Sequence, residues 1–227
     1  MAGGPTRGER VYDALRADIL AGRLTPGERL RFAALCARYD SSMGLLREAL
    51  SRLEEQGLVR SERQQGYRVT PLSREDLCQL TDARCEIEPL VLRRSIAEGD
   101  LAWESRLIAA HHTLARTPQQ SAAEPTLLTE EWVVAHAAFH GATLDGCPNP
   151  RLLAIALALR DAAELYRCWS GPLGGDTDRD IAGEHRALLE ATLDRDPARA
   201  STVLIDHIRR TSDVLLHNAT TSTAASD

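Results

Sequence analysis

The 227 residues suffice for one large or two modest domains, each with its own core. No run of about 18 apolar residues occurs, which excludes a membrane-spanning helix, and the start "MAGGPTRGER" lacks the apolar stretch of a secretory signal. The net charge of −6 is uneven: residues 1–73 carry twelve Arg against nine Asp and Glu, a balance of +3, which leaves −9 for the rest. 

Residues 1–8 read as a disordered arm. The stripe Val11, Leu15, Ile19 and Leu20 then predicts an amphipathic helix with Gly22 as its stop. "TPGE" at 25–28 is a turn with Pro26 at its second position. A short second helix follows in "RFAALCARYD", with Phe32, Leu35 and Tyr39 inward. The third, "SSMGLLREALSRLEEQG", is capped by Ser41 or Ser42, buries Leu45, Leu46, Ala49, Leu50 and Leu53, and stops at Gly57. Strands at 58–62 and 67–70, joined through Gln64-Gln65-Gly66, complete the segment. Three short helices and a hairpin make a winged helix-turn-helix over residues 9–72, the third helix fitting a major groove and the wing reaching the neighbouring backbone. Arg47 could contact a phosphate or a guanine edge, or alternatively pair with Glu48 or Glu54 on the surface. A modestly basic first third on an acidic body agrees with a polyanion-binding head.

"ILAGRLTPGERL" and "LLREALSRLEEQGLVRSERQQGYRVTPLS" make this segment resemble the DNA-binding domain of the GntR family of bacterial transcription regulators. That resemblance implies DNA contacts from Ser42, Arg47 and the wing near Gly66; Arg31, Met43, Arg63 and Gln65 complete the candidate surface. The family usually has arginine directly after the Ser or Thr and proline two residues later, where this chain has Met43 and Leu45; Ala34 stands where an acidic residue is common. A lost arginine removes a potential base or phosphate contact worth about 1–3 kcal/mol, so the family's usual operator is not assumed.

Residues 73–218 read as all-helical. "SRED" opens a helix that stops at Gly99, and Asp100 caps the next. A loose connection, "TPQQSAAEPT", precedes a helix holding "EEWVVAHAAFHGATL", which ends at the turn-rich "DGCPNP". A fourth helix runs into the loop "SGPLGGDTD". The last two helices are separated at "DRDPARA", where Asp196 is a cap and Pro197 takes the first helical position. Residues 219–227, almost without apolar side chains, read as a disordered tail. Five cysteines (Cys36, Cys78, Cys85, Cys147 and Cys168), odd in number and without CxxC spacing, point to reduced thiols in a cytoplasmic protein.

Seven histidines sort by position. His111 and His112 are adjacent and diverge, and His217 lies near the end of the last helix. His136 and His140 are four apart and share a helix face, able to share an ion. His185 lies eleven residues before Asp196 and His207 eleven after it, so an antiparallel hairpin bent there sets them at one height. The spacing predicts a cage of His136, His140, His185 and His207; alternatively, each is a separately hydrogen-bonded histidine.

"RCEIEPLVLRRSIAE", "HAAFHGATLDGCPNPRL" and "EHRALLEATLDRDPARASTVLIDHI" make residues 75–217 resemble the helical ligand-binding FCD domain of one branch of GntR regulators. Such domains typically hold a divalent metal through one Asp and three His. His140, His185 and His207 match the histidines, and His136 stands in the aspartate's place. An all-imidazole set favours Zn, with Ni or Cu as alternatives, over Mg, Ca or Mn, and leaves the full +2 charge to attract an anion. Alternatively His136 does not ligate, leaving further open positions. Arg84 matches an arginine that FCD domains often direct at the effector, unless it pairs with Glu88 at i+4. Arg160 and Arg167 are further candidates for holding a carboxylate.

The expected protein is mainly α and cytoplasmic: a homodimeric DNA-binding regulator, most simply a repressor, that reads a palindromic operator under control of a small organic acid at a divalent-metal site. A metal-dependent hydrolase or lyase is the alternative, although no HExxH occurs and no carboxylate base can be assigned. A metal or metabolite sensor with altered DNA specificity is another, motivated by Met43.

Overall fold

A computed structural model describes residues 4–20, 23–62, 65–120, 128–168 and 179–216, and the backbone alone at 169 and 217–224. Two compact units emerge, Met1–Ser73 with Ala158–Trp169, and Arg74–Leu157 with Ser170–Asp227. The architecture is mainly α with one small sheet, as the periodicities predict.

In the first unit, α1 (Arg7–Leu20) buries Val11, Leu15, Ile19 and Leu20 against α3 (Met43–Glu55), which contributes Leu46, Ala49, Leu50 and Leu53. Ser42 is the cap of α3, its Oγ accepting from the Leu45 amide at 3.4 Å. Gly57, at φ +72°, ends the helix in the left-handed conformation that glycine adopts without strain. Leu45 is half-buried rather than fully inward, because it lies at the first turn, at the edge of the buried stripe. Between them, α2 (Phe32–Arg38) buries Leu35. Tyr39, just past its end, donates its hydroxyl to Asp18 at 2.6 Å. Arg38 also reaches Asp18 at 2.5 Å and ties α1 to the end of α2, and Arg23, just past α1, meets the same carboxylate at 2.5 Å.

The wing is a three-stranded antiparallel sheet rather than the expected pair. The strands β2 (Val59–Glu62) and β3 (Gly66–Val69) pair Val59 with Val69 and Glu62 with Gly66. To the other side of β3 is added β1 (Arg29–Leu30), Arg29 opposite Arg68. Two residues are too few to show a period-2 signal, so β1 leaves no trace in the hydropathy pattern. The turn before it has the amide of Glu28 donating to the Thr25 carbonyl, with Gly27 at φ +77°. Gly22 and Arg63, expected as a helix stop and a DNA contact, lie outside the described residues, as do 121–127 and 170–178, where loops were expected.

The second unit holds α4 (Arg74–Glu98), α5 (Leu101–Arg116), α6 (Glu130–Leu144), the first residues of α7 (Pro150–Trp169), α8 (Ile181–Leu193) and α9 (Pro197–Ala224). Its core gathers Val91, Leu92 and Ile96 of α4, Trp103 and Leu107 of α5, Phe139 and Leu144 of α6, Leu188 of α8, and Leu204 and Ile208 of α9. Asp100 caps α5, accepting from the Trp103 amide at 2.8 Å. At the preceding residue a Cβ on Gly99 would lie 2.2 Å from Trp103 Cε3 and 2.6 Å from the Ser95 carbonyl oxygen, so the corner has room only for glycine. The α8–α9 break matches expectation: Asp196 Oδ1 accepts from the Arg199 amide at 3.0 Å and Pro197 opens α9. Helical backbone continues to Ala224, into the segment expected to lack structure; each further residue on an existing helix adds a hydrogen bond without a new nucleus.

Candidate metal centre and nucleic-acid interface

Helix α6 carries His136 and His140 four residues apart, hence on one face, and that face turns into the second unit's interior. The cap-and-proline break sets α8 and α9 antiparallel, so His185 and His207 come level with that pair. All four rings are buried. One ligand atom from each lies within 4.8 Å of the other three. Ring centroids are 4.5 Å apart for His136–His140, 5.1 Å for His140–His185 and 5.0 Å for His185–His207; His136–His207 is the widest at 6.3 Å.

The Nε2 atoms of His140 and His185 face each other at 3.2 Å. Four nitrogens each about 2.0–2.1 Å from a tetrahedral zinc ion would stand roughly 3.3–3.4 Å apart, so this pair already matches one edge of that polyhedron. Neutral imidazole donors suit zinc, nickel or copper and are poor hosts for magnesium or calcium. The donor set therefore fits the expected ion. His136 is stacked on Trp132, with centroids 4.6 Å apart and planes at 27°.

Behind the imidazoles stands a polar layer that the sequence reading missed. Glu184 Oε2 is 2.7 Å from Nδ1 of His207. Arg179 grips the same carboxylate, Nε to Oε1 at 2.8 Å and Nη2 to Oε2 at 2.6 Å, and donates from Nη2 to Thr211 Oγ1 at 2.9 Å. Burial pushes the Glu184 carboxyl up, but the hydrogen bonds and charges of Arg179 and His207 outweigh it and hold it at about 2. Glu184 is thus an anion at neutral pH. A carboxylate on Nδ1 fixes the ring's tautomer and turns Nε2 outward as a donor, the arrangement that metal-binding histidines use. The Arg179 side chain is 2% exposed, and its Nη1 has no hydrogen-bond partner among the described residues.

The other arginine candidates are engaged elsewhere. Arg84 is buried in α4 and donates to Glu88 Oε1 at 2.6 Å, the i+4 pair foreseen as its alternative. Arg160 and Arg167 are buried in the part of α7 that groups with the first unit, where Arg167 bonds Glu164. The structure thus brings the four histidines together and sets Arg179, not an expected residue, beside them. Arg179 borders the 170–178 segment and shares no helical register with the histidines, so no periodicity marks it.

In the first unit, Ser42, Met43 and Arg47 are exposed along the N-terminal half of α3, with Arg31 at the start of α2. Arg47 lies over the Phe32 ring, its Cζ 5.8 Å from the centroid. At the wing, Gln65 is exposed and Gly66 takes φ +86°. Arg29, also missed, donates from Nε to the Gln65 carbonyl at 3.0 Å and braces the tip. The described members of the expected DNA-contact set thus share the first unit, on the start of α2, the N-terminal half of α3 and the wing tip.

Comparison with known proteins agrees with both halves. The family model described as "Bacterial regulatory proteins, gntR family" matches residues 7–69, and the FCD domain model matches residues 79–210. The HTH-type transcriptional repressor GlaR of Escherichia coli (strain K12) is 37% identical over 200 residues, covering 87% of this chain and 90% of its own. An uncharacterized HTH-type transcriptional regulator, BphR of Paraburkholderia xenovorans (strain LB400), is 34% identical over 207 residues, covering 91% and 84%. Among solved structures, E. coli McbR/YncC superposes with a TM-score of 0.73 at 17% identity, covering 93% of this chain and 97% of its own. A putative GntR regulator from Rhodococcus sp. RHA1 gives 0.71 at 23% identity, covering 94% and 99%. At such identities the structural likeness speaks for the fold.

Proposed function

The chain belongs to the gntR family of bacterial regulatory proteins, with an FCD domain as its larger part, and on that premise we propose a cytoplasmic, homodimeric repressor governed by a small organic acid at a divalent-metal site. It is a transcription regulator and not an enzyme, as both matched families and the named relatives are. The repressor sign follows the name of the E. coli relative. A cytoplasmic setting agrees with free cysteines at all five positions and with no helix of the described residues long and apolar enough to cross a membrane.

The observation that carries the reading is the convergence of four buried imidazoles, braced by Glu184 and Arg179. His136, His140, His185 and His207 would hold the ion, zinc first, with nickel or copper as alternatives. When bound, the ion supplies an undiminished +2 charge, since no carboxylate enters its ligand set, and that charge draws an anion. Arg179 adds a directional donor. A buried guanidinium nitrogen left open costs free energy that a carboxylate oxygen would recover. Arg84 would have to leave Glu88, and Arg167 to leave Glu164, to do the same.

Regulation follows from linkage: the acid must bind one arrangement of the dimer better than another and so alter the spacing of two reading heads. Each head presents Ser42, Arg47, Arg31 and the wing tip, and a twofold dimer reads a palindrome. Thermal-shift titration of the full chain tests the metal part. Zinc at about 100 times its dissociation constant stabilises by about 2.7 kcal/mol, which raises the midpoint by roughly 5–10 °C. A chelator reverses the rise and His140→Ala abolishes it. An equal rise in His140→Ala, or none in the wild type, overturns the site. For the DNA part, gel shifts on the intergenic duplex beside the chain's own gene should show specific binding that falls steeply with salt. The absence of any specific shift there overturns the repressor reading.

A further inference from the structure

Helix α3 begins with two residues that the fold does not explain. Met43 is the only large apolar side chain left exposed among the described residues of the first unit, at 54%. Gly44 follows it, exposed, and a Cβ there would meet nothing nearer than Ser42 Oγ at 3.9 Å. Glycine is the poorest helix former after proline, and here neither a positive φ nor a close neighbour asks for it. One exposed methionine is unremarkable by itself. A methionine and an unneeded glycine side by side at the first turn of a recognition helix are a different matter, since residues at that end reach base edges.

The chemistry of the pair narrows what it can read. Methionine offers no N–H or O–H donor and cannot form the bidentate contact to guanine O6 and N7 that arginine makes there. Its flexible thioether arm packs on apolar surface. The apolar feature of the major groove is the C5-methyl of thymine. Gly44, lacking a Cβ, lets the helix end come closer to the duplex than alanine would. The Leu45 amide is taken up by Ser42 Oγ, but the helix's first N–H groups otherwise have no intrahelical acceptor and are open to a phosphate. Arg47, one turn on and on the same exposed face, supplies the charge that Met43 lacks.

We infer that Met43, seated close to the duplex by Gly44, reads a thymine methyl in each operator half-site and sets this chain's specificity toward A·T at that position. The inference rests on the DNA-binding reading above, and the experiment separates the two. Full-length protein selects its site from a random-core duplex pool. Each thymine of the selected duplex is then replaced in turn by deoxyuridine, which removes the methyl and nothing else. At about 0.8 kcal/mol per buried carbon, one symmetric position should weaken binding about fourfold per half-site, roughly fifteenfold for the palindrome. Met43→Ala should bind the thymine duplex more weakly and lose its sensitivity to deoxyuridine at that position. Met43→Arg should select guanine there, and Gly44→Ala should weaken every duplex. Met43 and Gly44 are exposed, so unchanged circular dichroism is expected of all three variants.

If no deoxyuridine position matters, or if Met43→Ala keeps the full penalty, the inference is overturned while the regulator reading stands. If the pool yields no preferred sequence at all, both fall.

Discussion

Glu184 and His185 are neighbours in sequence, yet on a helix their side chains diverge by about 100° and so serve different partners. His185 turns to His140, whereas Glu184 turns to His207 on the next helix and receives Arg179 from behind. The order Arg179, Glu184, His207 is therefore a relay of orientation toward whatever His207 Nε2 meets. Glu184→Gln keeps the shape but removes the negative charge facing Nδ1, and should lower zinc affinity about 10- to 100-fold in competition with a chromophoric chelator. Unchanged affinity would mean that His207 does not ligate. Arg179→Gln should cost less zinc affinity but abolish the extra stabilisation by organic acids. At this scale the four histidines were legible, because i,i+4 spacing and equal offsets from Asp196-Pro197 are arithmetic on a helix. Helical spacing shows only that Glu184 faces away from its neighbour His185; what it faces is set by packing between helices, which no spacing encodes. Arg179 had no signal at all.

At the scale of elements, the ends of helices were read more easily than their partners. Ser42, Asp100 and Asp196 cap their helices as expected, since an oxygen placed before an apolar stripe meets orphan amides whatever the tertiary context. Gly99 reads as a stop between two helices, and its deeper reason appears only in three dimensions. The corner turns so tightly that Trp103 packs where a Cβ would be, with Trp103 Nε1 donating to the Ala142 carbonyl at 2.7 Å. The same ring lies 2.9 Å from a Cβ built on Gly146, so it has nowhere to retreat. Gly99→Ala should therefore overpack the corner and cost about 1–3 kcal/mol. In a 227-residue chain that is a fall of several degrees in the thermal midpoint, roughly 2–4 °C per kcal/mol. A loss below a few tenths of a kcal/mol would show that the corner opens freely. The strand β1 was missed for the opposite reason: two residues carry too little pattern, and only pairing with β3 defines them.

For the whole molecule, the asymmetry of charge and the division into two units frame the regulator's thermodynamics. A head of +3 meets phosphate while a body of −9 does not, so a chain of net −6 can still bind duplex DNA through local contacts. The imidazole cluster belongs to one unit and the exposed end of α3 to the other. On the proposed reading, an acid bound at the first acts on the second by preferring one state of the proposed dimer. The coupling is then reciprocal: whatever factor the acid imposes on operator affinity, the operator must impose on acid affinity. Such factors commonly run from about 5- to 150-fold. With zinc-loaded full-length protein, a binding acid identified by thermal shift and the selected duplex, both directions can be titrated at one salt concentration. Equal factors are expected, with the acid weakening DNA binding if the protein is a repressor released by its ligand. In His140→Ala the acid should leave operator affinity unchanged, while the heads still bind the duplex. An acid effect that survives in His140→Ala would place the effector away from the imidazoles and refute the metal-centred scheme, leaving the proposed DNA-reading surface untouched.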